Sequence, residues 1–168
     1  LYAYPWTSME ANNANTFFID GPVPTLIDPG HLQFFDRIVE GMARDGKSVD
    51  RIRLVLCTHG HPDHIEALQL FDGRVMKAVS EAELSYLQGP GKDLFLLTGS
   101  QFPARPFQIA LKEGTLEVGD KEFAVIPTPG HSPGSVCLYW PDRKALITGD
   151  TVFYMGVGRT DFEGGDIG

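Results

Sequence analysis

One junction constrains this chain more than any other feature of its 168 residues: an apolar run that ends in a dense cluster of metal-ligating side chains. Ile52–Thr58 is almost continuously apolar, broken only by Arg53. That is the pattern of a short strand buried on both faces. It passes directly into Thr58-His59-Gly60-His61-Pro62-Asp63-His64. A lone loop histidine is ordinarily a solvated polar residue, but three imidazoles and a carboxylate at this spacing carry chemistry. Imidazole nitrogens and carboxylates are the usual ligands of Zn²⁺ and similar ions. At a strand-to-loop transition His59 and His61, two apart, can point the same way. Asp63 and His64 fall at the start of the next helix, displaced from that pair, so one segment can serve two neighbouring ions. Gly60 lets the backbone pass close to the metals, and Pro62 suits the first turn of the helix.

Two further residues join this set at strand ends, where ligands converge in α/β sheets. His131 lies in the Pro/Gly-stiffened loop Thr128-Pro129-Gly130-His131-Ser132-Pro133-Gly134. Asp150 follows a strand in Leu146-Ile147-Thr148-Gly149-Asp150, and its carboxylate is able to bridge two cations. Ser132 reads as turn chemistry. His31, after Asp28-Pro29-Gly30, reads as a cap or surface residue without a chemical role. Cys57 and Cys137 read as small core residues, Cys57 also as a minor candidate ligand. Two cysteines cannot make a disulfide framework and no signal peptide is visible, so a reducing, cytoplasmic setting is expected.

The remaining pattern predicts a hairpin at 17–20 and 25–28 and a helix over 32–44. A helix from Pro62 to Gly73, a strand at 75–79 and a helix to Leu87 opened by a Ser80/Glu83 capping box follow. Residues 89–106, rich in Gly and Pro, read as an irregular loop or lid. Four strands at 115–118, 122–127, 135–140 and 145–148 come next, and the last 18 residues show no convincing element. This is an α/β order with a sheet-on-sheet core. A hydrophobic fraction of 42% and a charged fraction of 21% suit a globular domain, and no apolar run is long enough for a membrane span. The net charge of −8 argues against a general nucleic-acid binder.

The His59–His64 motif, His131 and Gly149-Asp150, with Asn15–Ile19 and Leu26–Gly30, resemble the metallo-β-lactamase fold superfamily over nearly the whole chain. Gly149–Phe153 and Gly158–Phe162 resemble its glyoxalase II-like (hydroxyacylglutathione hydrolase-like) branch and the persulfide dioxygenase relatives. The resemblance implies a four-layer αβ/βα sandwich with metals at one edge. By position His59, His61 and His131 would hold the first ion, and Asp63 and His64 the second, with Asp150 between them. Zinc, one or two ions, is the expected cofactor, with iron or manganese as alternatives. The implied reaction is attack by a metal-bound hydroxide on a thioester, with Asp63 orienting the hydroxide or holding its proton. The expected partner is a small-molecule substrate, a glutathione thioester among the candidates. The alternatives are a mononuclear iron persulfide dioxygenase and a non-catalytic or truncated metal-binding domain.

The chain departs from the branch in two places. Glu66-Ala67 stands where glyoxalase II carries a Gly pair. No His follows His131, although the family supplies one more to the second metal, so residues 1–168 read as a single domain missing a C-terminal portion. Lys92, Arg105 and Arg159 are candidates for an anionic substrate group, each weighed against a solvated or structural charge, and Arg159 with Asp161 reads as a structural pair.

Overall fold

A computed structural model of the protein describes residues 1–104 and 107–166. Its centre is a six-stranded sheet in the order β1-β2-β3-β4-β5-β6, formed by Tyr2–Tyr4, Thr16–Ile19, Thr25–Ile27, Leu54–Leu56, Met76–Ser80 and Ile109–Leu111. β1, β2 and β3 are antiparallel; β3 to β6 run parallel. Against it lies an antiparallel four-stranded sheet, β10-β9-β8-β7: β7 is Gly114–Val118, β8 Lys121–Pro127, β9 Val136–Trp140 and β10 Ala145–Ile147. A two-stranded hairpin, β11 (Val152–Phe153) and β12 (Gly156–Val157), stands apart from both.

The strand periodicity explains the layers. Successive side chains of a strand point to opposite faces. Ile19, Ile27, Leu54, Leu56 and Ala78 face the second sheet, where they meet Phe123, Val125, Leu138 and Ile147. Phe18, Leu26, Val55 and Val79 face the other way, into a core built with the helices. Those helices are α1 (Phe35–Arg44), α2 (Pro62–Ile65), α3 (Glu81–Tyr86) and α4 (Pro90–Thr98). Their apolar side chains, such as Ile38, Met42, Ile65 and Phe95, belong to this one cluster. The described residues thus form three layers, helices on a mixed sheet on an antiparallel sheet.

Several elements differ from the sequence expectation. Residues 89–106 are not a loop throughout: α4 begins with Pro90 at its first turn, buries Leu94 and Phe95, and ends at Gly99 with φ +70°. Pro at the start and Gly just past the end are the normal punctuation of a helix, and here they sit only nine residues apart, so they read as loop composition. The helix from Pro62 is one α-helical turn followed by a 3-10 stretch, Glu66–Leu70. The helix expected over 32–44 likewise opens with a 3-10 turn, Leu32–Phe34, before α1. β1, β6 and the β11–β12 hairpin had no clear sequence signal; each is two or three residues long and is defined by its pairing.

Candidate metal centre

β4 is an interior parallel strand, and the chain leaves its C-terminal end toward the second sheet. Thr58 O accepts a hydrogen bond from Val136 N at 2.9 Å, tying the two sheets at this point. The loop then delivers His59 and His61, and α2 delivers Asp63 and His64 on its single turn. His131 comes from the loop between β8 and β9, and Asp150 from the turn after β10. Gly149 takes φ +50°, where a Cβ would run into the Thr58 hydroxyl. All four imidazoles are buried.

The ring nitrogens of His59, His61 and His131 lie within 4.8 Å of one another, as do donor atoms of His59, His64 and Asp150. His61 Nδ1 is 2.8 Å from His131 Nε2. His131 Nδ1 donates to the Arg159 carbonyl at 2.7 Å, which fixes the tautomer and turns Nε2 inward. Burial, and then the neighbouring imidazoles, hold His59 well below the usual histidine range and push His61 down to about 3. Both are therefore neutral at neutral pH, the form that binds metal. His59 Nε2 and His61 Nε2 are buried without a hydrogen-bond partner. An unpaired buried polar atom is costly, and convergent neutral imidazoles with orphaned nitrogens fit a bound cation.

Asp150 faces both groups: Oδ1 lies 3.1 Å from His64 Nε2, and Oδ2 lies 3.5 Å from His131 Nε2. Burial would raise its pKa, but His64, His131 and His61 outweigh it and lower the carboxyl. For His64 burial alone would lower the pKa; Asp28, Asp150 and Asp63 outweigh it and raise the imidazole well above its usual range. Asp63 sits differently. Its Oδ2 accepts from Asn12 Nδ2 at 2.5 Å and is 3.9 Å from His64 Nε2, outside both groupings.

Three carboxylates outside the expected ligand set hold residues around the site. Asp28, at the end of the strand expected over 25–28, accepts from Thr58 N and Thr58 Oγ1 at 2.8 Å each and lies 3.1 Å from His64 Nδ1. Glu83 had been assigned to a capping box. Ser80 Oγ does accept from Glu83 N at 3.1 Å, but the Glu83 side chain does not reach back. It accepts instead from Gly60 N at 2.7 Å, and from Gly134 N and Ser132 Oγ at 2.8 Å each. Ser132 is thus more than a turn residue. Glu66 is the third: its Oε2 is 2.7 Å from His31 Nδ1, so His31, which does stand at the N-cap of the 3-10 turn, pairs its side chain with Glu66 instead of capping with it. Of these, only Glu66 stands out in the sequence, as a departure from the Gly pair of glyoxalase II; Asp28 and Glu83 carry no signal beyond a charged residue at a strand end or helix start.

A cleft of about 520 Å³ opens over the cluster, lined by His61, Asp63, His131 and Asp150 and walled by Leu94, Phe153 and Phe162. Arg159 borders it but pairs with Asp161 through two contacts of 2.6 Å, the structural pair expected from sequence. Lys92 lies elsewhere, over the Phe102 ring. Arg105 is outside the described residues. Cys57 is buried in the helix-side core and belongs to neither donor group, which removes it as a ligand. Cys137 is also buried, and both thiols are free.

The metallo-beta-lactamase superfamily model matches residues 10–167. A probable metallo-hydrolase of Methanocaldococcus jannaschii is 32% identical over 158 residues, 92% of this chain and 75% of its own length. A hydroxyacylglutathione hydrolase of Brucella anthropi is 32% identical over 127 residues, 76% of this chain but 42% of its own length. Two further relatives are spanned over 65% and 55% of their length. Among solved structures, the B3 metallo-beta-lactamase BLEG-1 superposes with a TM-score of 0.77 at 29% identity, over 98% of this chain and 78% of its own. A protein crystallised in a di-iron-bound form, TTHA1623, gives 0.75 at 26% identity, over 99% and 80%. Donor set, fold and family model agree: the chain belongs to the metallo-beta-lactamase superfamily.

Proposed function

We propose that this chain carries the centre of a metal-dependent hydrolase acting on a small acyl compound, a thioester of the glyoxalase II type. The observation that carries the reading is Asp150, whose two oxygens face two adjacent groups of buried donors. His59, His61 and His131 would hold a first ion, and His64 and Asp63 a second, with Asp150 between them. Zinc is the ion this nitrogen-rich donor set suits best, with iron or manganese compatible. A metal held there supplies Lewis acidity, lowering the pKa of water toward neutrality and polarising a carbonyl oxygen.

The chain's own residues do the rest. Asp63 lines the cleft with Oδ2 anchored by Asn12; its second oxygen would take the proton of the attacking water. Leu94, Phe153 and Phe162 offer an apolar surface to the acyl part and keep bulk water off it. No Ser or Cys nucleophile is required: Ser132 is committed to Glu83, and the Cys57 thiol is buried with its pKa pushed well up by burial.

The support is chemical and comparative: the donor set above, and hydroxyacylglutathione hydrolase among the relatives. Metal analysis and thioester hydrolysis on the same preparation test it. Two equivalents of metal and thioester turnover are expected. Oxygen uptake with glutathione persulfide at one equivalent of iron would replace the reading with a dioxygenase. No turnover of any thioester would sink it.

A further inference from the structure

The cleft holds a second kind of imidazole. His31 follows β3 and lines the same cleft as His61, Asp63 and Asp150, with a side chain only 15% exposed. Its backbone is pinned: His31 N donates to Asn13 Oδ1 at 2.7 Å, and Gly30 N donates to His64 O at 3.1 Å. Its ring is pinned too, with Nδ1 2.7 Å from Glu66 Oε2 and an edge-on contact to Phe34. Glu66 is buried and acts as an acceptor throughout. Oε2 also accepts from Leu32 N at 3.2 Å, and Oε1 accepts from Gln101 N at 2.7 Å. The proton between the two side chains therefore sits on His31 Nδ1, while Nε2 makes no hydrogen bond among the described residues. A carboxylate on one imidazole nitrogen fixes the tautomer and aims the other. Such a group, locked by its neighbours at the wall of a cleft, is preorganised to bind.

We propose that His31, positioned by Glu66, is a substrate-binding residue whose Nε2 accepts a hydrogen bond from a neutral donor on the acyl substrate, an amide N–H. With Nδ1 committed to Glu66, the neutral imidazole has only an acceptor left at Nε2, so the group it selects is a donor. The proposal rests on reading the cleft as an acyl-hydrolase site, and it names the chemical feature that site would select.

Two non-hydrolysable thioethers separate an N–H from everything else: S-butyl-N-acetylcysteamine and 5-(butylthio)pentan-2-one, which replaces the N–H by CH₂. Calorimetric binding to the metal-loaded protein is expected to favour the amide by about tenfold, the worth of one hydrogen bond. His31→Phe, with His31→Leu as a second variant, should abolish the preference with metal content unchanged. With the corresponding S-butyryl thioesters, the loss should appear in KM rather than kcat. A wild-type protein that binds both thioethers equally overturns the proposal, as does a preference that survives both substitutions. A thioether preference without hydrolysis of either thioester leaves His31 as assigned and overturns the thioesterase reading instead.

Discussion

Glu83 stands between the loop that carries His59 and His61 and the loop that carries His131, and it hydrogen-bonds to both. It touches none of the three rings, yet it sets how far apart their backbones lie. Glutamine cannot replace it. If the amide oxygen faces Ser132 and Gly134, its NH₂ meets Gly60 N–H, donor against donor; reversed, the NH₂ meets Gly134 N–H. Glu83→Gln should therefore weaken metal binding by about 10–100-fold, as loss of groups supporting a metal site does. A competition titration with a chromophoric chelator measures it, and unchanged affinity would count against this account. His59, His61, Asp63 and His64 stand out in the sequence because close spacing of rare residue types is itself the signal, and His131 and Asp150 by their place at strand ends. Glu83, Asp28 and Glu66 do not stand out in this way: their partners lie 23 to 51 residues away for Glu83, 30 for Asp28 with Thr58 and 35 for Glu66 with His31.

At the scale of elements, α3 works as a wedge. Its first turn grips the His131 loop through Ser80 Oγ, which donates to Gly134 O at 2.5 Å, and through Glu83. The fit leaves no room at Gly134, where a Cβ would collide with the backbone of Glu83. Gly134→Ala should cost about 1–3 kcal/mol through overpacking, measurable by urea denaturation, and should lower metal affinity with it. α4 supports the other side. Phe95 is fully buried and packs edge-on against Phe102 at 5.0 Å. Phe95→Ala should destabilise by about 3–5 kcal/mol; a cost under about 1 kcal/mol would return this segment to the irregular loop that its Gly and Pro content suggests. Long periodic elements such as α1 and β8 announce themselves through the spacing of their own side chains. Short elements such as β1 and β6 are stable only because a neighbouring strand supplies their hydrogen bonds.

At the scale of the whole molecule, two apolar clusters hold the layers together, and the donor groups gather at one edge of them. The donors come from the ends of β4, β8 and β10, so a bound ion would cross-link both sheets. Removing metal with a chelator should lower the thermal midpoint, by an amount corresponding to about 4 kcal/mol when free metal is a thousandfold above its Kd. The far-UV spectrum should persist, because neither apolar cluster includes a ligand. Loss of the β-sheet signal on chelation would show instead that the sheets depend on the ion. Among the described residues no helix is long and apolar enough to cross a membrane.

The sequence by itself determined the α/β class and the doubly buried central strand and offered the candidate donors, because periodicity and local spacing are properties of the chain. Tertiary structure alone decided that Asp63 turns to Asn12, that Glu83 ties the two ligand loops together and that His31 is held in the cleft by Glu66. The physical reason is the same in each case. A hydrogen bond or a shared cation depends on positions in space to within fractions of an ångström, and those are set by the packing of β4, α2, α3 and the second sheet against one another.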